Sequence, residues 1–172
     1  MATTDGNNTL FLDASNPGTV GLGLGNDRYV LSNTSLAANQ TLTISDADGA
    51  NTLQLVGGLT ITSSLVSNNA IQLTLSNGAK VSVLGASTFT FLTGGDAFSG
   101  TGGVSQTFSQ FVTVALGATV PAANAAAVPV GPVTLVSGGT TTPSTGQTFT
   151  LTNSATADTV IGTTGNDTVS GP

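Results

Sequence analysis

The chain contains no cysteine, histidine, glutamate or tryptophan, and Arg28 and Lys80 are its only basic residues. Without cysteine there are no disulfides, thiolate metal sites or thiol nucleophiles. Without histidine, Ser-His-Asp and Cys-His machinery and the usual zinc hydrolase sites are ruled out. A Ser-Lys dyad would need Lys80, which reads as a solvated residue just after a hairpin turn. Asp46 and Asp48 sit on a turn with no apolar pocket to raise a general acid's pKa. No enzymatic activity is expected.

Two basic residues against eight acidic ones leave a formal net charge of −6. Binding nucleic acid or an anionic membrane takes a Lys/Arg cluster that is missing here, so neither partner is expected. A cation is the charged partner this balance favours. Seven Phe and one Tyr are too few for the aromatic girdles of an outer-membrane barrel. The uncharged run from Val112 to Val136 contains Pro121, Pro129 and Pro132 and is rich in Ala, so no transmembrane segment is expected. MATTDGNNTL lacks a basic region followed by an apolar stretch, so no cleavable signal peptide is visible. Export by another route, or an excised piece of a longer chain, is the expectation, and the close at Ser170-Gly171-Pro172 inside an unfinished repeat points to truncation.

What the chain does have is Thr, Val, Leu, Gly and Asn in short alternating runs. Its 172 residues allow one sizeable core or two small ones. Only 6% are charged, and 38% are hydrophobic, which is not the profile of a disordered chain. Strands are predicted at Arg28–Leu31, 41–44, 52–55, 59–62, 71–75, 80–84 and 88–92 by period-two alternation. Asn77-Gly78 between two such runs predicts a type I′ hairpin, with positive φ at both residues. Val104, Phe108, Phe111, Val112, Ala115 and Leu116 recur at helical spacing, which predicts one packed amphipathic helix over about 104–117, capped by Ser105 and ended by Gly117. The expected fold is all-β, a β-sandwich or a β-roll (solenoid-like) fold with that one short α-helix. The expected organisation is a main β domain over 1–117, an Ala/Pro/Gly/Thr-rich connector over 118–146 with one short strand from Val133 to Val136, and a strand segment over 147–172.

All eight acids are aspartates, at 5, 13, 27, 46, 48, 96, 158 and 167, and five of them stand directly beside Gly or Asn. Turn propensity accounts for some of this. Short carboxylates beside bare backbone carbonyls also suit a hard, oxygen-seeking cation such as Ca²⁺. GLGLGNDRYVL (21–31) and GTTGNDTVSG (162–171) share Gly, Asn, Asp and a following β-former in one order. In these stretches the sequence resembles the haemolysin-type calcium-binding repeats of the RTX family, whose nonapeptide is Gly-Gly-x-Gly-x-Asp-x-apolar-x. The resemblance implies turns that alternate with short strands in a parallel β-roll, with calcium held between adjacent turns. Carried over, Gly23, Gly25 and Asp27 match the second Gly, third Gly and Asp, with Leu22 in place of the first Gly. Gly162, Gly165 and Asp167 match in the second copy, with Thr163 in place of a Gly. Neither copy is followed by another repeat, so each is expected to offer at best half a site.

Asp46-Ala47-Asp48-Gly49-Ala50-Asn51 is a self-contained calcium-loop candidate, without the distal Glu of an EF-hand. Its expected dissociation constant is on the order of 10⁻⁴–10⁻³ M. Asp96 after Gly94-Gly95, and Asp5 before Gly6, are candidates to complete a site in space. Asp13 and Asp158 read as turn residues. The functional expectation is a secreted, calcium-binding structural protein of the bacterial cell surface or extracellular matrix, exported by the type 1 route. It would pack against copies of itself in a filament or surface layer, or against neighbouring modules of a large adhesin. The alternative is a calcium-dependent, lectin-like module that binds a glycan, which scarce aromatics argue against.

Overall fold

The computed structural model describes residues 5–16 and 18–135, together with strand positions 141–142, 148–150 and 168–170. The chain divides into two compact units, Met1–Thr141 and Thr142–Pro172.

In the first unit the early strands alternate between two sheets. β1 (Thr9–Phe11), β3 (Arg28–Leu31), β5 (Thr52–Leu55) and β9 (Thr90–Gly94) lie side by side in one sheet, every neighbour parallel. β2 (Thr19–Val20), β4 (Thr41–Ser45) and β8 (Lys80–Leu84) form the parallel part of the other. A chain that passes from sheet to sheet and returns parallel to itself is a coil, so of the two expected architectures this is the β-roll. β6 (Thr60–Val66) and β7 (Ala70–Leu75) enter as antiparallel strands beside β8. β10 (Gly103–Thr107) closes the first sheet antiparallel to β9. Two strands from the Ala/Pro/Gly-rich region, β11 (Val128–Val130) and β12 (Val133–Leu135), add to β6.

Period-two alternation turns one side of each strand inward. Leu10, Tyr29, Leu53 and Phe91 share one register across the first sheet, and the last three are fully buried. Val20, Ile44 and Val83 form the matching column of the second sheet. The interior beyond the last coil is filled by a helix, Phe108–Gln110 continued by a wider turn over Phe111–Ala115. Phe111 stacks on Phe91 at 4.6 Å between ring centres, and Phe108 lies 5.8 Å from the same ring.

Three local expectations are corrected. The helix begins at Phe108, not near 104, because Gly103–Thr107 pairs with β9. Its cap is therefore Thr107, in a capping box with Gln110, not Ser105. The predicted strand over 88–92 is shifted to Thr90–Gly94, since Ala86–Thr88 form a 3₁₀ turn. The Asn77-Gly78 hairpin has positive φ at Gly78 alone. Leu75 and Ala79 flank a three-residue loop, with the Leu75 amide donating to the Ala79 carbonyl and the Gly78 amide to the Leu75 carbonyl. This is the type I turn with a glycine bulge, the other common hairpin solution.

Candidate metal-binding turn edge

The turns leading from the second sheet into the first stack along one edge of the roll. Residues 21–27 enter β3 and residues 45–51 enter β5, and the strand registers carry the stacking into the turns. The close approach is visible at two glycines. A Cβ on Gly25 would lie 2.5 Å from the Gly6 carbonyl oxygen, and one on Gly49 would lie 1.7 Å from the Gly25 carbonyl oxygen. Both residues also have positive φ, +128° and +80°, so neither space nor backbone admits a side chain.

Next to this glycine column runs a ladder of short polar side chains. The Asn8 amide donates to Asp27 Oδ1 at 2.8 Å, and the Asp27 amide donates to Asn51 Oδ1 at 2.9 Å. One position earlier, the Asn26 amide donates to Asn7 Oδ1 and the Ala50 amide to Asn26 Oδ1, both at 2.8 Å. Each coil thus satisfies backbone donors of its neighbour through a side chain of the right length. Glutamate is one methylene too long for this geometry, which gives the all-aspartate composition a structural reason at Asp27.

Gly23, Gly25, Asp27, Asp46, Asp48 and Asn51 all belong to these two stacked turns. The turn over 45–51 is the next coil that the sequence reading did not recognise after 21–27. That turn stands where a second repeat would, directly beside the first copy. Asp96 is not part of the edge. It follows β9, where its carboxylate accepts from the Ser99 amide and hydroxyl and the Phe98 amide. Those Ser99 bonds, with Phe98 and nearby Arg28, hold its pKa below the ordinary carboxylate value. Asp13 caps a local turn through Ser15 in the same way. Gly162, Gly165 and Asp167 lie outside the described residues.

Asp27 and Asp46 are both buried, at 1% and 7% exposure. Asp46 Oδ2 accepts from the Tyr29 hydroxyl and, at 3.0 Å, from the Leu22 amide. Burial, reinforced by the Asp46 hydrogen bond and charge and by the Asp27 charge, raises the Tyr29 phenol well above its ordinary pKa. Asp27 Oδ2 is buried with no hydrogen-bond partner. The two basic side chains are elsewhere: Arg28 bonds Gln54 and the Phe98 carbonyl, and Lys80 is exposed. Asp48 presents an exposed carboxylate on the outside of the same turn. A shallow cleft of about 270 Å³ opens beside it, with Ser45, Asp46, Asn69, Gly85 and Thr88 in its lining.

Among the described residues no three acidic, His or Cys side chains converge as a ready ligand set. A cation here would take part of its coordination from backbone carbonyls, as hard divalent ions do. The donors fit that chemistry, being oxygen only, with one buried carboxylate oxygen unspent. Sequence reasoning missed Gly6, Asn7, Asn8, Asn26 and Tyr29. The signal was present as Gly-x-Asn/Asp-x-apolar at 6–10, 25–29 and 49–53, in steps of 19 and 24 residues. No helix among the described residues is long and apolar enough to cross a membrane. No family model matches the chain, and no curated protein or solved structure matches it either.

Proposed function

We propose that the chain is a calcium-stabilised structural module of a bacterial cell surface or extracellular matrix, secreted and built as an RTX-type β-roll. The observation that carries the reading is the unpartnered, buried Oδ2 of Asp27 within two stacked turns. An uncompensated buried carboxylate is costly, and a bound cation removes that cost. Asn at this position would serve the ladder as well, as Asn8 and Asn51 occupy the same place in the neighbouring coils. The choice of Asp over Asn is what calcium explains. Backbone carbonyls of the 21–27 and 45–51 turns would supply the remaining donors.

Thermal unfolding of wild type and Asp27→Asn, each in calcium and in chelator, tests this. At about a hundred times the dissociation constant, one site adds about 2.7 kcal/mol to the wild type. Asp27→Asn should keep the fold and lose most of that response. An equal melting temperature for wild type in calcium and in chelator would remove calcium from the reading.

A further inference from the structure

The two ends of the roll in the first unit are built differently. Beyond β9 the coil is closed by antiparallel β10 and by the Phe108–Ala115 helix, whose Phe108 and Phe111 cover Phe91. At the other end β1 and β2 are the outermost strands of their sheets, each paired on one side only within the first unit. Coiled folds need a cap at each end, because every coil buries its apolar column only against a neighbour. Leu10 shows the deficit. It shares the column of Tyr29, Leu53 and Phe91, yet it is only half-buried while they are fully buried. Phe11 and Phe98 form an exposed ring pair close to the same edge.

Hydrogen bonding along β1 points the same way. The Arg28 amide donates to the Asn8 carbonyl, and the Leu12 amide donates to the Val30 carbonyl. In a parallel pair alternate residues face each neighbour, so the amides and carbonyls of Thr9 and Phe11 face away from β3. That is an edge ready to receive a parallel strand in register.

The second unit contains the matching piece. Thr148–Thr150 and Thr168–Ser170 pair in parallel, Thr148 opposite Thr168. That offset of 20 residues is the length of one coil, close to the 19 residues between Thr9 and Arg28. The sequence before the last strand repeats that before β3. Thr19-Val20 is followed after four residues by Gly25-Asn26-Asp27, and Thr159-Val160 is followed after four residues by Gly165-Asn166-Asp167. Thr168-Val169-Ser170 therefore carries the lead-in of a coil whose next neighbour would be a strand like β1.

We propose that Thr168–Ser170 of one copy adds in parallel to β1 of the next, continuing the roll head to tail. The register sets Thr168 against Thr9, Val169 against Leu10 and Ser170 against Phe11. In that register the Val169 amide donates to the Thr9 carbonyl. Such a contact joins two different surfaces and does not close on itself, so it produces open filaments. The proposal rests on the structural role given above but not on calcium.

The native absence of cysteine makes a direct test available. Strands in register lie about 4.8 Å apart, within the range a disulfide spans. The full-length double variant Thr9→Cys/Thr168→Cys, oxidised under native conditions, should give a ladder of reducible multimers on a gel. Each single variant should give at most dimers. Separately, Thr9→Pro removes an amide facing the open edge, and Val169→Pro removes one facing the next copy. By light scattering the wild type should grow with concentration, each Pro variant alone should stay monomeric, and their mixture should stop at dimers. A wild type that stays monomeric at every concentration, or a double-cysteine variant that closes only within one chain, overturns the proposal. Such a monomer could still melt higher in calcium, so failure here is separable from failure of the calcium site.

Discussion

At the residue scale, the single tyrosine is a reporter built into the candidate site. Its hydroxyl donates to Asp46 and accepts from the Leu22 amide at 2.9 Å. Burial first, and then the Asp46 bond and charge, raise its pKa above the unfolded value of about 10. A phenol held neutral in this way contributes stability that is complete below that unfolded value. The contribution is lost as the pH rises from there towards the folded pKa. The prediction is that tyrosinate absorbance stays absent in native protein above pH ~10 and develops together with unfolding, read by parallel circular dichroism. Tyrosinate forming at an ordinary pKa in a fully folded protein would contradict the buried bond. Asp27 and Asp46 were legible from sequence as residues with ligand-like neighbours. Tyr29 was not, because as the second residue of a strand it looks like any inward-facing aromatic.

At the scale of elements, the helix and its aromatic stack hold the far end of the roll. Phe111 is fully buried and parallel to Phe91 within 13°. Phe111→Ala should destabilise the first unit by about 3–5 kcal/mol, measured by urea unfolding. A loss below about 1 kcal/mol would mean that the helix is not part of the core. Helical spacing located Phe108, Phe111, Val112, Ala115 and Leu116 correctly, and all five are buried. It placed the start too early because Val104 fits both periods, and only pairing with Thr93 assigns it to β10. The Asn77-Gly78 signal likewise found the hairpin and missed its turn type. Asn77 keeps negative φ while its side chain donates to the Leu36 carbonyl and accepts from the Ala79 amide.

At the scale of the whole molecule, the coil should unravel from its uncapped end. Among the described strands β1 pairs with β3 alone, whereas β5 is bonded on both edges, to β3 and β9. Local opening is cheapest where the fewest contacts break. Hydrogen exchange on dilute protein should therefore show β1 exchanging well before β5, with β5 among the slowest amides. Equal protection of β1 and β5 in a monomer would mean that something already covers the edge.

The sequence by itself determined that this is a β protein with no thiol and no imidazole, and it located most strands and the acidic turns. Those properties depend on residue type and on period two, which are local. It did not determine that the strands coil in parallel, since alternation reads the same for a sandwich strand and a roll strand. Nor did it bring 21–27 onto 45–51, or turn Asp27 into a buried link between Asn8 and Asn51. Those outcomes come from pairing residues 19 and 24 positions apart. Only the stacking of one coil on the next leaves Asp27 with one carboxylate oxygen used and the other enclosed without a partner.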